Sequence, residues 1–365
     1  MNRPPIVVVT GASAGVGRAC VRAFARDGAS IGLIAREAGA LEDTRREVER
    51  LGGRGLVLPL DVADARAVAA AADKVEDRFG PIDIWVNCAM ATVFSRVAEL
   101  TPDEIRRVTE VTYLGSVNGI LAALDHMVPR NRGTIVQAGS ALAYRGIPLQ
   151  AAYCGAKHAL RGFVDSLRTE LLHDHSRVKI TMVHLPAVNT PQFDWARTRG
   201  RHTPRPVAPV FQPETAARAL LDAAYAPGRE VWLGWTTVAT VLGNWLLPHT
   251  ADRYLARTAA EGQETSQPLP PGRRDNLYDP VPGLHRAHGS FDREAKPRAR
   301  AIGATTAKAA AVAGGILMVA GMTLAADAWA RGSSGADRRP GTRPSPAGRP
   351  PWSRAAEVTG APDTV

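Results

Sequence analysis

A chain of 365 residues, 45% apolar and 22% charged, can bury a sizeable core as one large domain or two ordinary ones. That balance excludes wholesale disorder, a collagen-like repeat and a multi-span membrane protein. The formal net charge of +10, of which +4 lies beyond residue 260, permits contact with nucleic acid, anionic lipid or a phosphate-bearing cofactor without choosing among them. Three scattered cysteines (Cys20, Cys88, Cys154) are too few for a disulfide framework or a zinc site. They point to a reducing, cytoplasmic setting.

The apolar run from Ile6 meets a glycine turn at Gly11, as expected of a first strand rather than a signal peptide. Strands are predicted at Ile6–Thr10, Ser30–Ala35, Gly55–Leu60, Ile82–Asn87, Thr134–Ala138, Lys179–Leu185 and Glu230–Leu233. They are continuously apolar, the pattern of strands covered on both faces. Helices are predicted between them at Val16–Arg26, Ala38–Leu51, Ala65–Arg78, Pro102–Met127, Ala151–His173 and Pro213–Tyr225. Asp64 and Thr101 are candidate N-caps, the latter followed by Pro102 at the first helical position and Glu104 at the capping-box position. This β-α alternation predicts a doubly wound parallel α/β sheet with right-handed crossovers.

Residues 1–261 carry that pattern. Residues 262–300 are rich in Pro, Gly and Arg and are expected to form an irregular extension, and 331–365 a disordered tail. Between them, within 301–330, Ala309–Ala326 is an uncharged run of 18 residues. It meets the lower length for a bilayer span, about 27 Å as a helix, and has no polar face. A C-terminal membrane anchor is therefore expected here, with an Ala-rich helix packed on the domain as the alternative. Basic residues flank both ends, so charge assigns no orientation.

The turn Thr10-Gly11-Ala12-Ser13-Ala14-Gly15-Val16-Gly17 follows the first strand and opens a helix, the setting in which a glycine pattern becomes a nucleotide site. Gly11 would make the tight turn, Gly15 admit a pyrophosphate near the backbone, and Gly17 bring helix and strand together. Phosphates would sit on free N–H groups around Ser13 and Val16 at the positive helix end. The second strand ends in Arg36 rather than the acid that would bind a ribose 2′-hydroxyl. Arg36, assisted by Arg18, could pair with a 2′-phosphate, which favours NADP(H) over NAD(H). Asp61 and Val62 follow the third strand at the expected adenine edge, and Asn87 ends the fourth beside the cofactor.

Tyr153 and Lys157 stand four apart at the start of a helix and share a face. An ammonium beside a phenol lowers the phenol's pKa, which would fit Tyr153 for proton transfer to or from an alcohol or carbonyl oxygen. Ser140, just beyond the fifth strand, could hydrogen-bond that oxygen. The motifs TGASAGVG at 10–17, Asp61, Asn87, Ser140, Tyr153-Cys-Gly-Ala-Lys157 and Pro186-Ala-Val-Asn-Thr190, in this order, resemble those of the short-chain dehydrogenase/reductase family over roughly residues 5–235. The resemblance implies a Rossmann-type core and an NAD(P)(H)-dependent oxidoreductase. Tyr153 would be its acid/base and Ser140 its oxygen anchor. Lys157 would bind the nicotinamide ribose and tune Tyr153, with Pro186 and Thr190 beside the nicotinamide carboxamide.

Two positions depart from the family pattern. Asn87-Cys88-Ala89-Met90 stands where the family has N-N-A-G, and Thr112 where it has an Asn that holds a water in the proton relay. Thr112 is accordingly expected to bind that water with altered geometry. Arg197, Arg199, Arg201, His202 and Arg205 fall in the substrate-lid region, either to clamp a phosphate or carboxylate or simply as solvated loop charges. The apolar stretch around Trp232, Trp235 and Trp245 would pack in the core, line a cleft, join a dimer or meet a membrane surface. No metal-ligand constellation and no nucleic-acid platform is visible. The expected protein is a cytoplasmic NADP-preferring oxidoreductase of a small-molecule alcohol or carbonyl, lipophilic if the anchor holds, and a homo-oligomer by family habit. A non-catalytic dinucleotide-binding sensor or scaffold at the membrane is the competing reading.

Overall fold

The structure, a computed structural model, describes residues 3–314. The chain opens with β1 (Ile6–Thr10), α1 (Gly15–Arg26), β2 (Ser30–Ala35), α2 (Ala38–Arg50), β3 (Arg54–Pro59), α3 (Ala65–Phe79) and β4 (Ile84–Asn87). It continues through β5 (Val93–Phe94), α4 (Pro102–Thr109), α5 (Gly115–Met127), β6 (Thr134–Ser140), α6 (Ala151–His173) and β7 (Lys179–Leu185). There follow α7 (Gln192–Trp195), β8 (Arg197–Thr198), β9 (His202–Pro204), α8 (Pro213–Tyr225), β10 (Glu230–Leu233), α9 (Gly234–Leu246), α10 (Pro248–Thr258), β11 (Glu264–Pro268) and β12 (Ala301–Gly303).

The main sheet runs β3-β2-β1-β4-β6-β7-β10-β12. Its first seven strands are parallel, and β12 closes the β10 edge antiparallel. The seven strands are those expected, with edges displaced by up to two residues. Their continuous apolarity has the cause proposed for it, since helices cover both faces. One apolar layer joins the sheet to α1, α2 and α8, the other to α3, α4, α5 and α6. Strand order reverses between β1 and β4, and at such a switch point the crevice beyond the strand ends takes ligands.

Both candidate caps form. Asp64 Oδ1 accepts from the N–H groups of Arg66 and Ala67, and Thr101 with Glu104 makes a complete capping box. The long helix expected at Pro102–Met127 is continuous but carries one π turn at Glu110–Leu114. A π turn inserts one extra residue into the helical repeat and is common at functional sites. Thr112 sits in it.

The C-terminal part differs from expectation. Residues 262–300 belong to the same compact unit as the sheet, which extends to Ala309. Residues 301–303, expected to begin an Ala/Gly-rich helix, instead pair as a strand with β10, Ile302 opposite Trp232. The β-branched side chain and an open sheet edge favour that pairing. Among the described residues no helix is long and apolar enough to cross a membrane. Of the Ala309–Ala326 run, only 309–314 is described, as helix; the remainder and the tail 331–365 lie outside the described residues.

Candidate active site

A cavity of about 680 Å³ runs along the carboxyl ends of the central strands, from Arg36 past the glycine turn to Ser140, Tyr153 and Lys157, and on toward α9 and α10. Gly11, Ser13, Gly15, Val16, Gly17, Arg36, Asp61, Val62, Pro186 and Thr190 all line it. Gly11 has φ +69, and a Cβ there would stand 2.9 Å from the Ala89 amide nitrogen. At Gly17 a Cβ would come within 2.1 Å of the Gly11 carbonyl oxygen. Only glycine allows strand, turn and helix to meet this closely.

Three expected cofactor or catalytic residues do not line this cavity. Asn87 is buried and ties β4 to α5, its Oδ1 accepting from Trp85 Nε1 at 2.9 Å and its Nδ2 donating to the Ser116 carbonyl at 3.2 Å. Arg18 is buried and paired with Glu47 at 2.9 Å, and also donates to the carbonyls of Ser13 and His285. Its charge is thereby committed inside the protein. The Thr112 hydroxyl accepts from the Ala91 N–H and donates to the Ala91 carbonyl, both at 2.9 Å. This pair of hydrogen bonds commits the one hydroxyl proton to the Ala91 carbonyl, so Thr112 has no donor left to offer a relay water.

Arg36 remains a cation facing the cavity. Its guanidinium donates to the carbonyls of Asn276 (2.6 Å) and Tyr278 (2.7 Å). Among the described residues no carboxylate lies within ion-pair distance of it. Asp61 at the same end is already engaged by Arg107.

At the chemical end, Ser140 terminates β6 and its Oγ accepts from the Leu142 N–H at 3.1 Å. Its backbone carbonyl receives His184 Nδ1 at 3.0 Å. Burial pushes His184 down to about 4 against the pull of Glu230, so the ring stays neutral and donates to that carbonyl. Lys157 Nζ donates to the Ala138 carbonyl at 2.8 Å and lies 5.6 Å from the Tyr153 ring centre. Burial pushes Lys157 down to about 8, and raises the Tyr153 phenol above its ordinary value against hydrogen bonding from Ser140. This inverts the expectation that the lysine lowers the phenol's pKa. Both groups sit in a low-dielectric pocket, where desolvation outweighs their mutual effect. Cys88, at a departed family position, is likewise pushed up to about 12 by burial, an inert thiol in the wall.

The wall beyond Tyr153 is apolar, formed by Leu142, Ile147, Phe193, Trp195, Val207, Trp235 and Leu255. Trp232 by contrast is a core residue and Trp245 is exposed. Three of the four arginines of the expected basic lid are neutralised at short range, Arg199 by Glu104 (2.8 Å), Arg197 by Asp275 (3.0 Å) and Arg205 by Glu294, while Arg201 is exposed and does not line the cavity. The acids come from α4 and from the C-terminal extension, so inspection of the lid alone could not reveal them. The residues missed by sequence reasoning are those of that extension, with Asn276, Leu277, Pro280, Val281 and His285 all lining the cavity. Aperiodic segments carry no pattern that announces such a role.

The sheet order and the glycine turn define a doubly wound nucleotide-binding fold, with Ser140, Tyr153 and Lys157 in the same cavity. The profile of the short chain dehydrogenase family matches residues 5–199, and the chain belongs to that family of oxidoreductases. It is 30% identical over 282 residues to the Bacillus subtilis protein named uncharacterized oxidoreductase YxnA, covering 77% of this chain and 79% of that one. With human dehydrogenase/reductase SDR family member 7 it shares 39% identity over 170 residues, which is 46% of this chain and half of the human one. Among solved structures it resembles the alcohol dehydrogenase of Thermococcus sibiricus in complex with 5-hydroxy-NADP. That likeness has a TM-score of 0.54 and 29% identity, and covers 63% of this chain and 95% of that one.

Proposed function

We propose that this protein is an NADP(H)-dependent oxidoreductase that interconverts an uncharged, largely apolar carbonyl compound and its alcohol. The observation that carries the reading is one continuous cavity joining the helix-start anion site, the unneutralised Arg36 and the Ser140–Tyr153–Lys157 cluster. The dinucleotide fits these residues. The glycine turn that opens α1 lines the cavity and suits a pyrophosphate, and Arg36 offers a 2′-phosphate a charge that no carboxylate of the described residues neutralises. The Thermococcus structure, solved with an NADP derivative, is consistent with that choice.

The nicotinamide supplies or accepts the hydride when bound. Ser140 donates a hydrogen bond to the substrate oxygen and holds it beside Tyr153. The Tyr153 phenol, protonated at neutral pH because burial raises it, gives its proton to the carbonyl oxygen during reduction and recovers it during oxidation. Lys157 orients the nicotinamide ribose and supplies positive charge below Tyr153. Thr112 in this reading clamps the Ala91 wall and passes no proton. Apolar side chains and the paired arginines Arg145 and Arg205 beyond Tyr153 select against charged substrates, because among the described residues lining that end no unpaired arginine or lysine is left to compensate a carboxylate.

The test is to titrate NADPH and NADH into the full chain by tryptophan fluorescence, then assay NADPH-dependent reduction of apolar ketones and aldehydes. Tyr153→Phe is expected to bind NADPH as the wild type does and to lose at least a hundredfold in turnover. Arg36→Leu is expected to reduce the NADPH-to-NADH affinity ratio by about 10- to 100-fold, the loss of one charge-assisted contact. Failure of the intact chain to bind either dinucleotide, or an equal loss for both in Arg36→Leu, would refute the corresponding part.

A further inference from the structure

The segment from Asn276 to Arg286 lies across the mouth of the groove just assigned to the dinucleotide, and beyond the residues the family profile matches. Five of its main-chain carbonyls accept hydrogen bonds, three from Arg36 and Gly15 in the groove and two from Arg18 and Arg107 behind it. Arg36 donates to those of Asn276 and Tyr278, and Arg107 Nε to that of Leu277 at 3.0 Å. Arg18 donates to that of His285 at 2.6 Å, and the Gly15 N–H to that of Arg286 at 2.9 Å. At Arg36 and Gly15 carbonyl oxygens thus occupy, as weak neutral acceptors, donors that phosphate oxygens would engage.

The contact is anchored by side chains as well. Leu277 is 1% exposed, inside the apolar layer that contains Val62 and Val108. The His285 ring lies 5.2 Å from that of Trp195. It lines the cavity with both ring nitrogens buried and without a hydrogen-bond partner, Nε2 standing 3.3 Å from the Glu37 carboxylate. Nδ1, buried in the cavity wall with no partner, is suited to a ligand's hydroxyl or ring nitrogen.

We propose that Asn276–Arg286 is a strap forming the outer wall of the dinucleotide site, which must part from Arg36 and Gly15 for the cofactor to enter and then closes over its adenosine half. Leu277 pins the closed form and His285 contacts the bound dinucleotide. Association and release of NADPH are then gated by the strap, and His285 contributes to retention. The inference rests on the groove being the dinucleotide site.

Stopped-flow fluorescence with NADPH tests it on the full chain. Leu277→Ser is expected to accelerate both association and release by tenfold or more, and His285→Ala to accelerate release alone severalfold. If Leu277→Ser does not fold, hydrogen exchange of the wild-type chain decides instead. Backbone amides within 276–286 are expected to exchange at least tenfold more slowly with NADPH bound. Wild-type rates in a folded Leu277→Ser, or exchange unaffected by NADPH, would overturn the strap while leaving the cofactor site standing. Absence of NADPH binding by the wild-type chain would remove the function and the strap together.

Discussion

Lys157 is placed where the proposed chemistry requires it and where stability opposes it. Its ammonium is buried, with the Ala138 carbonyl as its hydrogen-bond acceptor, and burial brings its pKa from 10.5 to about 8. At 1.36 kcal/mol per pH unit, that displacement corresponds to a native-state penalty of about 3 kcal/mol. Lys157→Met removes the penalty, keeps most of the apolar stem and forfeits one hydrogen bond, about 1 kcal/mol. The variant is therefore expected to be about 2 kcal/mol more stable than the wild type at pH 7 and to be inactive.

The pH dependence has a definite sign. Below pH 8 both native and unfolded chains hold the lysine proton, and the penalty is complete. Between about 8 and 10.5 the unfolded chain keeps a proton that the native chain has released, so the penalty is relieved as pH rises. The advantage of Lys157→Met should shrink steadily above pH 8 and reverse by about pH 10. Cys20 and Cys154, raised by burial, lower the stability of both proteins above pH 9 and cancel in the difference, whereas Cys88, which the Lys157 ammonium pulls down, rises further in the variant and adds to the loss of its advantage above pH 9. Urea unfolding followed by tryptophan fluorescence at pH 7, 8, 9 and 10, without cofactor, measures it. A variant less stable at pH 7, or a difference independent of pH, would refute the reasoning.

Two further substitutions test the walls of the site. Thr112→Val keeps shape but strips both partners from the Ala91 backbone, and a loss of about 1–3 kcal/mol is expected in denaturant unfolding; a neutral variant would dismiss the clamp. Gly11→Ala forces a left-handed backbone on a residue with a side chain and sets its Cβ against Ala89. A loss of at least tenfold in NADPH affinity is expected by fluorescence titration, and unchanged binding would mean the turn is not part of the site.

Much of this architecture was legible because it is local or periodic. Unbroken apolar runs such as Val7–Val9 report strands covered on both faces, and Asp64 and Thr101 report helix starts through bonds made within four residues. The glycine turn and the Tyr153–Lys157 pair likewise place their chemistry by backbone geometry alone. Arg18, Asn87 and Thr112 were assigned to cofactor or proton relay on position. Each is instead engaged by a protein group distant in sequence, Glu47, Ser116 and Ala91, and such pairings have no local signature.

The sequence by itself determined the doubly wound sheet, the family and the Ser140–Tyr153–Lys157 cluster, since periodicity, turn chemistry and close spacing are properties of neighbouring residues. Only the tertiary structure decided the charge state of that cluster, because desolvation depends on everything packed around it. It likewise decided which arginine keeps a free charge: Arg18 meets Glu47 and Arg199 meets Glu104, whereas Arg36 meets only carbonyls. The placement of residues 276–286 along the cavity was also decided there, because an aperiodic segment acquires its structure from the surface it crosses.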